Sequence, residues 1–404
     1  MGEKKIDINN KNLYYLWFGV CIGFIFLYGL IFPGITYLEI NTLGFVMSIL
    51  AGIGFFIERR MEFDLAFIFL FQAMFIMALK DDMAQNRYEV CYGWILVSAY
   101  LIGKFAVGNK KEHAEAKIIS SYIALALGVI ITGIVDIIYN HVIGYFDTEW
   151  IISIWTNETI GRTVYDLYGL LMVSAIPFFV VMFKKLKIIS VLGIILAIFY
   201  TLAMVRNEGR YCLFVFILLV PVTFVIYTYY NWHTISVEKK KKLKNIVTMI
   251  ACLMVLLLIC FFFNIFGLND LYHSSYISVG GIFDNIRFKL AYQAIMNIPY
   301  NLQGGYSNDL RFNAHNTWLE FGNSYGVIVL VLLIAFRIIL IYDMFISFLK
   351  RSMPKSLTYL FVPSFIFINI YFSMEPIGFR RRLYFALILF YFGIFKRAKE
   401  LFDK

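Results

Sequence analysis

Residues Arg287 to Gly326 read RFKLAYQAIMNIPYNLQGGYSNDLRFNAHNTWLEFGNSYG, the longest polar interruption in a sequence otherwise made of apolar runs. The stretch opens on an arginine, passes through an amphipathic segment to Pro299, turns at Gly304-Gly305 and ends in Ala314-His315-Asn316 where apolar periodicity resumes. An imidazole and several guanidiniums therefore come together at the edge of apolar segments. Chemistry is expected there.

The rest of the chain sets what those segments are. Of 404 residues, 61% are hydrophobic and 15% charged, and the mean hydropathy of +0.76 lies far above that of a soluble domain. A bilayer-spanning helix needs about 20 mostly apolar residues, and the chain divides into about twelve such windows. The spacing predicts spans at 13–31, 38–57, 63–80, 88–107, 118–139, 164–183, 188–205, 210–230, 246–266, 315–349, 357–373 and 381–396. The expected fold is all-α, one polytopic membrane domain over residues 1–404, with a long extracytoplasmic loop, 267–314, before the tenth helix.

Orientation follows from the basic residues. With the amino terminus cytoplasmic, the inner connections hold Glu58-Arg59-Arg60, Lys104 to Lys117, Lys184-Lys185-Lys187, Lys239 to Lys244, Lys350-Arg351-Lys355 and the tail from Lys396. Both termini then face the cytoplasm, and Lys4, Lys5 and Lys11 precede the first span as in an uncleaved signal anchor. The net charge of +10 is thereby explained by topology, with the lipid bilayer and no nucleic acid as partner. The five cysteines show no CxxC or metal-like spacing and read as buried structural thiols. The outer connection 140–163 reads as a short surface helix. Its Trp150 and Trp155 belong to an interfacial aromatic belt or, less commonly, to a sugar-stacking platform.

Arginines on the outer side are not explained by orientation. Arg206 and Arg210 bracket the turn RNEGR, Arg287, Lys289 and Arg311 lie in the long loop, and Arg380, Arg381 and Arg382 end EPIGFRRR. A guanidinium offers a planar fork of donors that matches phosphate oxygens and stays charged at any relevant pH. Each of these arginines alone also suits a headgroup anchor, Arg382 above all, and Glu208 and Glu375 suit their ion-pair partners. Among the histidines only His315 sits in a motif. An imidazole with a pKa of about 6.5 accepts a proton from a hydroxyl at neutral pH. The competing reading of His315-Asn316 is a polar helix start in which Asn316 satisfies free backbone donors.

Taken together, Gly209-Arg210 at a helix start, Arg287, Pro299, Gly304-Gly305, and His315-Asn316 with Leu319, Gly322 and Gly326 resemble the motifs of the O-antigen polymerase and O-antigen ligase superfamily over the half of the chain from Arg206 onward. Glycine stands where that family usually has serine before the arginine, and the loop is compact. The resemblance implies metal-independent, cofactor-free transfer of a glycan from undecaprenyl diphosphate to an acceptor hydroxyl. Flippase and chain-length regulator proteins are the partners it suggests. Glycosyl transfer needs a base for the hydroxyl and stabilisation of the departing diphosphate. His315 fits the first role, and Arg210 and Arg287, with Arg206 and either Arg311 or Arg380, the second. A polymerase is expected over a ligase because no acceptor domain is visible. Two other readings remain: a metal-dependent transferase using Glu39, Asp81 and Asp82, with Lys80 to Asp82 otherwise a solvated turn, and a flippase, which would need more ionisable residues inside the spans than Asp136 and Arg337.

Overall fold

The computed structural model describes residues 2–31, 37–58, 63–83, 87–145, 147, 150–206, 211–232, 236, 238, 245, 286–300, 302–305, 314–376 and 382–403. The apolar runs form helices: α1 Gly2–Ile31, α2 Tyr37–Glu58, α3 Leu65–Met83, α4 Arg87–Phe105, α5 Ala114–Val142, α6 Arg162–Ser174, α7 Ile176–Met182, α8 Lys187–Arg206 and α9 Tyr211–Asn231. After them come α10 Ile286–Asn297, α11 Thr317–Tyr325, α12 Val327–Lys350, α13 Lys355–Met374 and α14 Arg382–Phe402. Eight helical stretches among the described residues are long and apolar enough to cross a membrane, α6 and α7 counting as one. In its described part the chain is a predominantly helical membrane protein. The expected span 246–266 lies outside the described residues.

The last helix is the centre of the bundle. Along α14 nearly every side chain from Arg382 to Ala398 is buried, and it packs on α4, α5 and α12. Glycines make the closest of these crossings. A Cβ on Gly103 of α4 would lie 2.3 Å from the Phe390 carbonyl oxygen, and one on Gly393 of α14 would lie 2.1 Å from that of Tyr100. Backbone meets backbone at both points, so only glycine lets the two helices approach to this distance.

Hydrogen bonds sort the connections into two ends. At the terminal end, Lys104 bonds Asp64 at 2.7 Å and Glu400 at 2.8 Å, Lys396 bonds Asp343, and Lys399 bonds Asp343 at 2.9 Å. Lys117 is also buried there, its amine 4.3 Å from the centre of the Tyr14 ring. Several lysines assigned to topology thus have a packing partner as well. These ion pairs tie the start of α3 and the ends of α4, α12 and α14 together. The loop and helix that carry His315 lie at the opposite end.

Two expectations change. The stretch 140–163 is no surface helix: α5 runs to Val142, and a hairpin follows with β1 Trp150–Ile152 antiparallel to β2 Thr159–Gly161, Ile151 opposite Ile160. So short a hairpin is marginal alone. Side chains of α5 hold it: Asn140 donates to the Ile152 carbonyl at 2.6 Å and accepts its N–H at 2.9 Å, while Asp136 accepts the Ile154 N–H at 2.8 Å and the Tyr165 hydroxyl at 2.9 Å. The expected span 315–349 is likewise two helices, because Gly326, at φ 92 and ψ 173, breaks the chain between α11 and α12.

Candidate functional site

The start of α11 is built by Asn316. Its backbone is extended, at φ −151, and its Oδ1 accepts the N–H groups of Trp318 at 3.0 Å and Leu319 at 3.1 Å, satisfying two donors that a helix start leaves open. The capping role expected as the competing reading is therefore real. Asn316 does more than cap, however. Its Nδ2 donates to the Ser373 carbonyl at 2.8 Å, and Thr317 donates its hydroxyl to the Glu375 carbonyl at 2.7 Å. These bonds fix the helix start to the last turn of α13. His315 precedes the cap in the left-handed region at φ 45, partly exposed, and the Glu320 carboxylate accepts the N–H of Ala314 on its other side. The turn that carries the imidazole is thus held on both flanks.

The motif glycines support that turn from below. Gly304, at φ 78, crosses the α11–α12 break so closely that a Cβ on it would lie 2.3 Å from the Gly326 nitrogen. Gly305 donates its N–H to Asn323 at 3.0 Å, and Val327 donates to the Leu302 carbonyl at 3.0 Å. Lys80 of α3 clamps the crossing, donating to the carbonyls of Gln303 and, at 2.7 Å, Tyr325. Gly304 and Gly305 are thus structural members of the motif, holding α11 against α12.

Arg337 of α12 enters the same site. Its Nε donates to Asn369 Oδ1 at 2.9 Å and its Nη2 to Ser373 Oγ at 2.8 Å, with the guanidinium carbon 5.2 Å from the centre of the Trp318 ring. Ser373 therefore receives Arg337 on its hydroxyl and Asn316 on its carbonyl. The sequence showed an arginine inside an apolar run, which is the available signal, but not that it reaches the His315 motif.

Of the guanidiniums expected around His315, Arg210, Arg311 and Arg380 lie outside the described residues. Arg206 closes α8 and Arg287 stands in the first turn of α10. Helix α9, which starts after Arg210, reaches α13, and α10 reaches α11. Tyr211, the residue after Arg210, packs its ring, tilted, with its centre 4.5 Å from that of Tyr371 and donates to the Phe367 carbonyl at 2.6 Å, so α9 starts on the same end of α13 that holds Asn316. Helix α10 packs against α11.

Arg382 and Asp81 depart from expectation. Arg382 is buried and ion-paired to Asp81 at 3.1 Å, and the Tyr325 hydroxyl, which Arg382 also bonds, donates to Asp81 at 2.8 Å. Lys80 to Asp82 is therefore the last turn of α3, with Asp81 committed to a buried pair, and no solvated turn. No group of three metal-capable residues exists among the described residues, and the side chains of Glu39 and Asp82 lie outside them. Elsewhere at this end, a cleft of about 410 Å³ opens between α5, the hairpin and α8, with Trp150 in its lining and His315 absent from it.

A helical membrane protein with a polar site at one end of its bundle is the class these features define. No protein-family model, no curated protein and no solved structure matches the chain.

Proposed function

We propose that the chain is a glycosyltransferase of the O-antigen polymerase and ligase type, joining undecaprenyl-diphosphate-linked repeat units at the outer face of a bacterial cytoplasmic membrane. In this reading the chain spans the membrane about twelve times with both termini cytoplasmic, and residues 267–314 form the extracytoplasmic catalytic loop. The observation that carries it is the meeting of helix starts on the last turn of α13. Asn316, next to His315, bonds Ser373 there, and the ring of Tyr211, next to Arg210, packs against that of Tyr371.

In the reaction, the acceptor hydroxyl gives its proton to His315 and its oxygen forms the new bond to the anomeric carbon. The bond from that carbon to the diphosphate oxygen breaks with its electron pair leaving on the diphosphate. Attack from the opposite face inverts the anomeric centre. Arg210 and Arg287, with Arg206 and either Arg311 or Arg380, receive the charge that develops on the leaving group. One preorganised donor of this kind is worth about 3 kcal/mol in the transition state. No metal or cofactor is required by these steps. A ligase would run the same steps with lipid A core or another acceptor, and flippase and chain-length proteins would be neighbours in the membrane.

The test is purified protein supplied with synthetic undecaprenyl diphosphate oligosaccharide alone. A ladder of products supports polymerisation, product only after another acceptor is added supports ligation, and no product with any acceptor defeats the reading. His315→Ala should abolish product while leaving the protein folded. A transport reading makes a separate demand: translocation of the lipid-linked unit across reconstituted vesicles, unaffected by His315→Ala.

A further inference from the structure

We propose that Arg337 is an anion-binding residue of the His315 site, taking a phosphate group of a lipid diphosphate. This deepens the glycosyl-transfer reading and rests on it for the identity of the lipid.

Placement is the first argument. Arg337 lies ten residues into α12, roughly 15 Å along the helix from its start, in a stretch flanked by Phe336 and Ile338. Helical side chains lean toward the helix amino terminus, which for α12 is the His315 end. The guanidinium accordingly reaches Ser373 Oγ, at the last turn of α13, beside the carbonyl that Asn316 bonds.

Charge is the second. An arginine in an apolar stretch is costly unless it is paired or used. Around Arg337 the described residues supply only neutral acceptors: the Asn369 side chain and carbonyl, the Ser373 hydroxyl and the face of Trp318. No carboxylate among them pairs with it. This contrasts with Lys104, Lys396, Arg382 and Arg397, each of which has a carboxylate within 3.1 Å. The positive charge of Arg337 is thus left uncompensated by the described residues.

Donor capacity is also left over. Nε and Nη2 are occupied, whereas Nη1 donates to no described group, and the buried indole N–H of Trp318, the ring under the guanidinium, has no acceptor either. Two unused donors around an uncompensated cation, next to a turn bearing an imidazole, form a site that wants an acceptor-rich anion. A phosphate offers several acceptor oxygens and negative charge; a sugar hydroxyl would leave the charge unmet.

The experiment uses full-length protein in nanodiscs of zwitterionic lipid, titrated with farnesyl diphosphate and, as the uncharged control, farnesol. Wild type should bind the diphosphate saturably. Arg337→Gln should weaken that binding at least tenfold with farnesol partition unchanged, and Arg337→Lys should recover part of the loss. Because Arg337 also links α12 to α13, Tm without ligand is measured for each variant. A Tm loss with diphosphate affinity unchanged would overturn the proposal and leave Arg337 a structural tie. Diphosphate binding that depends on Arg337 without glycan product would instead defeat the transfer reading alone, and product formation indifferent to Arg337→Gln in both Kd and KM would defeat this proposal alone.

Discussion

Asn316 serves two functions that substitution can separate. Its Oδ1 caps α11 through Trp318 and Leu319, and its Nδ2 fastens the helix start to the Ser373 carbonyl. Losing a side-chain N-cap costs about 1 kcal/mol, and losing a partly buried hydrogen bond costs about 1 kcal/mol more. Asn316→Ala removes both, roughly 2 kcal/mol, which raises the open population of the helix start by about 30-fold at 1.4 kcal/mol per factor of ten. Asn316→Ser retains a capping oxygen and loses the Ser373 tie, so its rise is about fivefold. Hydrogen–deuterium exchange of the segment 314–326 in detergent or nanodiscs reads these values directly. The segment around Asp64, at the far end of the bundle, serves as the internal reference. Under the proposed chemistry, glycan formation falls in the same order, wild type above serine above alanine, because the turn that aims His315 loosens. Exchange rates equal in all three proteins would refute the reasoning, since the cap and the tie would then contribute nothing to order at His315.

Other perturbations probe the frame. Gly393→Ala should destabilise the solubilised protein by about 1–3 kcal/mol, as overpacking does, because the new methyl meets the Tyr100 backbone and not a movable side chain; thermal unfolding in detergent measures it. Lys396→Met leaves Asp343 with Lys399 as its only described cation, and breaking a buried pair costs about 3–5 kcal/mol; adding Asp343→Asn should restore a measurable part of the lost Tm. At Asp64, burial pushes the carboxyl up, but the Lys104 and Lys396 ammoniums and the Phe67 N–H outweigh it and hold the carboxyl below its usual range. A carboxyl depressed in the folded state contributes stability above its unfolded pKa of about 3.9, and that contribution is lost as pH falls through the folded value. Asp64→Asn should therefore flatten the acid limb of a Tm–pH profile, and an unchanged limb would remove Asp64 from the acid response.

The sequence made the helices legible because twenty-residue apolar runs have few other fates. It concealed which helix is central. In α14 the apolar residues surround the axis, so nothing in the pattern marks that helix as the one enclosed on all sides, and the Gly103 and Gly393 crossing depends on residues far apart in the chain. The hairpin at 150–161 was missed because its strands are too short for a period-two signal and its stabilisers, Asp136 and Asn140, belong to α5. Gly326 was read as a motif residue inside one long span, while its positive φ makes it the break between two helices. At the site, His315 and Asn316 were legible from their contrast with apolar surroundings. Arg337 was visible but could not be placed, since its partners Asn369 and Ser373 come from the next helix. The basic residues of the terminal end were read as topology signals, and their pairing with Asp64, Asp343 and Glu400 depends on contacts 40, 53 and 296 residues apart in the chain.

The most direct measurement is an experimental structure of the full chain with undecaprenyl diphosphate bound. The account predicts the diphosphate against the last turn of α13, with Arg210 and Arg287 on its oxygens and the His315 imidazole facing the side on which the sugar would sit. A diphosphate bound at the Lys104 end, or Arg210, Arg287 and His315 parted from one another around it, would contradict the account.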